Sequence, residues 1–138
     1  MSHRVLVCGA TVLMLCARAA FAMADAPPAP GAQATQGKAN YESHCASCHG
    51  AELAGGQHAP ALVGPLFRSH WDGKPARAVY SRIISTMPQD NPGSLSETEA
   101  LNIALYVFAV NGIPMGEQPI ANPAALNSVT IPAQAVVP

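Results

Sequence analysis

Two cysteines three positions apart, with a histidine directly behind the second, form the stretch HCASCHG at residues 44–50. Cys45, Cys48 and His49 supply two sulfur donors and one imidazole. Such a set could hold a zinc ion, a redox disulfide or a covalently attached haem. Zinc wants four N or S donors, usually as two separated pairs. Here the fourth would have to come from a residue such as His58, and His49 follows Cys48 too closely for ordinary finger spacing. A thioredoxin-like dithiol wants a βαβ setting, and no stretch of the chain alternates as a strand does. Haem suits the spacing. On a helical turn, positions i and i+3 project to one face, so both thiols reach the two vinyl groups of one porphyrin. His49 then presents its imidazole to the iron from the same side. CxxCH is the attachment signature of haem c, and it occurs once.

The sixth ligand decides what such a haem does, because an open site admits small ligands whereas a thioether favours electron transfer. The stretch IISTMPQDNPGSLS points to Met87. Pro88 disfavours helical geometry at the residue before it, which puts Met87 on a short loop that Pro92 and Gly93 turn back. Met115 follows Pro114 in a tail where nothing fixes it. His44, His58 and His70 are weaker alternatives.

Three helices must position these groups. Residues 35–48 run into the CxxCH. Residues 75–85 open on Pro75, suited to the first helical position, and carry Val79, Ile83 and Ile84 on one face. Ser96 and Glu99 form a capping box. Leu101, Ala104, Leu105 and Phe108 follow at helical spacing, and Asn111-Gly112 ends that helix. The fold class expected is small all-α.

The ends read differently. Arg4, an apolar run at residues 5–16 and the small-residue sites Ala20-Phe21-Ala22 and Ala22-Met23-Ala24 have the order of a secretory signal peptide. The run falls short of the roughly 20 residues that span a bilayer, so cleavage before Asp25 and a periplasmic location are expected, with no permanent membrane span. Removing residues 1–24 leaves 114 of 138 residues, two of the four cysteines, five Lys and Arg, and eight Asp and Glu, a formal charge of −3. No basic cluster suggests nucleic acid. Residues 25–34, rich in Pro and Ala, read as an extended linker. Residues 115–138 are nearly uncharged and space Ile120, Leu126, Val129 and Ile131 among prolines, unlike a disordered tail. They are expected to lie along a surface, of their own domain or of a partner.

Residues 37–114 resemble a class I c-type cytochrome, with Gly37, Tyr41 and CASCHG at the front and TMP carrying Met87. More narrowly, CASCHGAELAGGQHAPALVG, FRSHWDGK, TMPQDNPGSLS and ALYVFAVNGIP resemble the monohaem cytochrome subunits and domains of periplasmic, quinoprotein-type dehydrogenases that oxidise alcohols or sugars. The resemblance implies a cytochrome c domain over residues 35–114 with one haem c. Cys45 and Cys48 would carry its thioether bonds, and His49 and Met87 would be its axial ligands. It further implies that the Pro60 carbonyl orients His49, that Trp71 lies near a haem propionate, and that Gly37 and Tyr41 meet the last helix near Leu105 and Tyr106. Arg68, Lys74, Arg77 and Arg82 are possible propionate partners. The function expected is one-electron transfer from a periplasmic dehydrogenase to a downstream cytochrome or oxidase, with no substrate site. The alternative is a haem enzyme or sensor, a peroxidase or gas binder, with a labile sixth ligand.

Overall fold

The computed structural model describes residues 30–133; the expected signal peptide lies outside them. Five α-helices occur among the described residues: α1 (Pro30–His44), α2 (Ala46–His49), α3 (Gly64–Trp71), α4 (Ala76–Thr86) and α5 (Glu97–Val110). A 3-10 helix, Pro123–Ser128, follows in the tail. The β structure among these residues is a single isolated antiparallel bridge, Pro75 to Thr130, so the all-α expectation holds. No described helix is long and apolar enough to cross a membrane.

The frame is the packing of α1 on α5, the most extensive helix pair. A Cβ on Gly37 would lie 1.9 Å from the Asn102 carbonyl oxygen and 2.9 Å from the Tyr106 Cβ. Only a residue without a side chain lets the two backbones meet so closely. One turn on, Tyr41 is fully buried with its ring 5.5 Å from that of Tyr106. Tyr106 is thus at the meeting point as expected, with Asn102, one turn before it on α5, in place of Leu105.

Helix α5 starts as its sequence directs. The Ser96 hydroxyl accepts from the Glu99 N–H at 3.2 Å, and the Glu99 carboxylate accepts from the Ser96 N–H at 2.9 Å. Leu101, Ala104, Leu105 and Phe108 are buried as their spacing requires, but Ala100, Asn102, Ile103 and Val107 are buried too. The helix is enclosed on nearly every side. At its end Asn111 ties back to the Leu62 carbonyl at 2.8 Å.

Two elements differ from expectation. Helix α1 begins at Pro30, inside the segment read as linker. Proline opens a helix readily, alanine propagates one, and the buried Gln33 amide pairs with both backbone groups of Ile120 at 2.9 and 3.0 Å. That tertiary bond gives the early turn a reason to form which composition does not display. Helix α3 is an addition to the three expected helices rather than a shifted boundary, since Gly64-Pro65 at its start reads locally as a turn.

The tail lies on its own domain as far as it is described. Ile120, Leu126 and Ile131 are buried, and burial of such a side chain stabilises by roughly 1.5–3 kcal/mol.

Two outcomes test this frame. Gly37→Ala should lower unfolding free energy by roughly 3 kcal/mol, the upper end for overpacking, because the clash is with backbone; denaturant titration measures it. The Glu99 carboxyl is held below its ordinary pKa, chiefly by the Ser96 hydroxyl and then the Ser96 N–H. A depressed folded pKa means stability present above the unfolded value of about 4.3 is lost as pH falls through the folded one. Glu99→Ala should flatten that part of the pH–stability curve.

Candidate functional site

The CxxCH sits where α1 gives way to α2. Cys45 interrupts the helix, with φ −126° and ψ −33°, yet its N–H still bonds the Tyr41 carbonyl at 2.8 Å, and the His49 N–H bonds the Cys45 carbonyl at 2.9 Å. The motif is thus one helical turn anchored to the α1–α5 frame. The Tyr41 hydroxyl fastens it from below, donating to the Gly50 carbonyl at 2.6 Å. Burial first, and then the Cys45 and Tyr106 groups, push the Tyr41 pKa up to about 12. Cys45 is half-buried and Cys48 exposed, and no disulfide joins them. Burial, followed by the neighbouring Cys48, pushes the Cys45 thiol up to about 11.

His49 is buried. Its Nδ1 lies 2.8 Å from the Pro60 carbonyl oxygen, so Nδ1 donates there and Nε2 keeps its lone pair. This is the hydrogen bond that fixes tautomer and ring orientation in a ligating histidine. The loop between α2 and α3 is built to deliver that carbonyl. Gly55 donates to the His49 carbonyl at 2.8 Å and Leu62 to the Leu53 carbonyl at 2.8 Å. Leu53 adopts φ 56°, costly for a branched side chain, while its side chain is buried in the core. Nothing in the sequence signals that leucine.

Cys45, Cys48, His49, Pro60, Trp71 and Met87 all line one cavity of about 1240 Å³. Phe67, Val79, Ile83, Ile103 and Val107 make its walls largely apolar. Met87 caps α4 in extended geometry, φ −119° and ψ 151°, with its N–H on the Ile83 carbonyl. Met115 lies elsewhere, in a small pocket with Leu105 and Ala109. His44, His58 and His70 also line the large cavity but are exposed. His44 is 3.8 Å from the Glu99 carboxylate, and His70 sits edge-on to Trp71 at 4.7 Å.

The basic residues separate clearly. Arg82 lines the cavity. Arg68 does not: buried in α3, it pairs with Asp72 at 2.9 Å and donates to the Pro132 carbonyl. Lys74 lies over the Trp71 ring at 5.2 Å and Arg77 over Tyr80 at 4.9 Å. Among the described residues no three His, Cys, Asp or Glu side chains come together as a metal-binding group, so the tetrahedral zinc alternative, with His58 as fourth ligand, finds no support. A spacious apolar cavity lined by two thiols, a pre-oriented imidazole and a thioether fits a covalently held porphyrin with its iron.

Comparison with known proteins follows the same line. The family model described as cytochrome C oxidase, cbb3-type, subunit III matches residues 32–107. A solved structure, the sulfane dehydrogenase SoxCD from Paracoccus pantotrophus, is similar over 72% of this chain and 53% of that one, with 22% identity and a TM-score of 0.56. This chain spans about half the length of that one, and the likeness is one of fold. No curated protein matches the chain.

The loop account makes its own test. Gly55 has φ +81°, and a Cβ there would lie 2.6 Å from the Ala61 nitrogen and 2.9 Å from the Pro60 carbonyl carbon. Gly55→Ala should therefore displace the Pro60 carbonyl and expose the His49 Nδ1 proton to faster solvent exchange, as NMR would record. An unchanged exchange rate would mean that the loop does not hold the bond.

Proposed function

The chain belongs to the family of cytochrome c domains described as cytochrome c oxidase, cbb3-type, subunit III, and on that premise we propose that it is a periplasmic one-electron carrier. The family implies a covalent haem c and, typically, electron transfer. Bound here, one haem would supply an iron that changes oxidation state by one electron. Cys45 and Cys48 would fix it through thioether bonds, and His49 and Met87 would be its axial ligands.

The observation that carries this reading is that His49 and Met87, far apart in sequence, line one apolar cavity with the two cysteines. The chain's own residues have separable tasks. The Pro60 carbonyl holds His49 in one orientation at 2.8 Å. Phe67, Val79, Ile103 and Val107, all buried, exclude water from the interior of the cavity. Trp71 and Arg82 line the cavity, and we infer that they meet the propionates.

The donor we infer is a periplasmic dehydrogenase of the alcohol- or sugar-oxidising type, and the acceptor a downstream cytochrome or oxidase. The sequence resemblance to dehydrogenase cytochromes supports the donor class, and a sulfane dehydrogenase shares the fold. A methionine at the end of α4 favours the carrier over a haem enzyme or sensor, which needs a labile or open sixth position.

Two sets of variants test the reading. Cys45→Ser or Cys48→Ser should leave one thioether bond and lower the yield of haem-loaded protein, and the double variant should lose to acid–acetone the colour that the wild type retains. Met87→Ala should eliminate the far-red band of methionine-ligated ferric haem and let the ferrous protein bind carbon monoxide. Met115→Ala should leave both unchanged. The reverse pattern would make Met115 the ligand; rapid carbon monoxide binding by the wild type would favour the sensor.

A further inference from the structure

The tail does more than cover apolar surface, because its backbone completes the connection between α3 and α4. The Gly73 N–H donates to the Ile131 carbonyl and the Ile131 N–H to the Lys74 carbonyl, both at 2.9 Å. Pro75 and Thr130 form the antiparallel bridge flanked by the Ile131-to-Lys74 bond and a bond from the Ala76 N–H to the Val129 carbonyl. Helix α4 has no side-chain cap and no acidic residue in its first turn. One of its orphan amides, on Ala76, is satisfied instead by the Val129 carbonyl of the tail at 2.8 Å. Unsatisfied first-turn amides destabilise a helix start, so α4 takes its N-terminal cap from a segment more than fifty residues away.

Side chains reinforce the backbone contact. Leu126 and Ile131 are fully buried, and the 3-10 helix packs on α4. Arg68, paired with Asp72, reaches from α3 to the Pro132 carbonyl. The two helices so tied together make one wall of the cavity: Phe67 and Trp71 come from α3, and Val79, Ile83 and the terminal Met87 from α4.

We propose that residues 126–132 are a brace that positions the Met87 wall of the haem site from outside. Leu126 and Ile131 within it, and Arg68 of α3, which bonds to it, are the positioning residues. The proposal rests on the reading of Met87 as an axial ligand. Without the brace, α4 loses its N-terminal cap and its fixed attachment to α3, and Met87 leaves the iron more often while the CxxCH side, held by α1 and α5, stays in place.

The test uses ferric holoprotein and imidazole as an exogenous ligand whose binding rate reports how often the methionine departs. Wild type, Met87→Ala, Ile131→Ala, Arg68→Gln, Arg68→Lys and a chain truncated after Ala125, which keeps the Gln33–Ile120 pair, are compared where far-UV circular dichroism shows each folded. Truncation should speed imidazole binding by about tenfold, equivalent to about 1.4 kcal/mol, with covalent haem retained. Ile131→Ala and Arg68→Gln should each give a smaller acceleration, and Arg68→Lys should recover part of it. If truncation prevents folding, the point variants decide. Rates equal to wild type in the folded variants, even with a lowered melting temperature, would reduce the tail to general stabilisation and overturn the brace. A wild type as fast as Met87→Ala would instead overturn the ligand reading beneath it.

Discussion

The close crossing of α1 and α5 at Gly37 is the constraint on which the rest of the site depends. With 1.9 Å between a notional Cβ and the Asn102 carbonyl, the two helices have one workable separation. Tyr41, one turn later, is packed on Tyr106 and hydrogen-bonded to Gly50. The residues that follow are Cys45, Cys48 and His49, so a rigid crossing becomes a rigid origin for the attachment motif. Interiors of this density transmit displacement rather than absorb it, which is why a glycine remote from the thiols matters to their placement.

The opposite wall has a different kind of support. Helix α4 makes fewer contacts with α5 than α1 does, and no side chain caps its start. Tail residues provide the missing cap and link α4 to α3. One side of the cavity is thus held by side-chain packing between long helices, the other by main-chain bonds from a nearly uncharged segment. A small domain with limited surface to bury gains from such additional ties.

Much of this was legible in the sequence. CxxCH, the capping box at Ser96 and the Met87-Pro88 pair each act through their immediate neighbours, and local chemistry reads directly from order along the chain. The resemblance to class I cytochromes supplied the contact between His49 and the Pro60 carbonyl, and the structure shows it at 2.8 Å. What stayed hidden was tertiary in origin. Pro30 starts a helix because Gln33 finds Ile120. Leu53 tolerates φ 56° because the core accepts its side chain. Arg68 is one of four possible propionate partners under the family resemblance, yet Asp72 and Pro132 engage it. Ile103 and Val107 were not among the predicted core positions of α5, because a single apolar stripe does not reveal a helix buried on several faces.

We propose that His49 and Met87 would hold the haem iron through an imidazole and a thioether. Iron K-edge X-ray absorption on the purified ferric holoprotein addresses it most directly, since sulfur scatters at a longer distance and with a different phase from nitrogen. The account predicts one sulfur in the iron's first shell with nitrogen for the remainder, and loss of that sulfur in Met87→Ala. A first shell of nitrogen and oxygen alone in the wild type would contradict it.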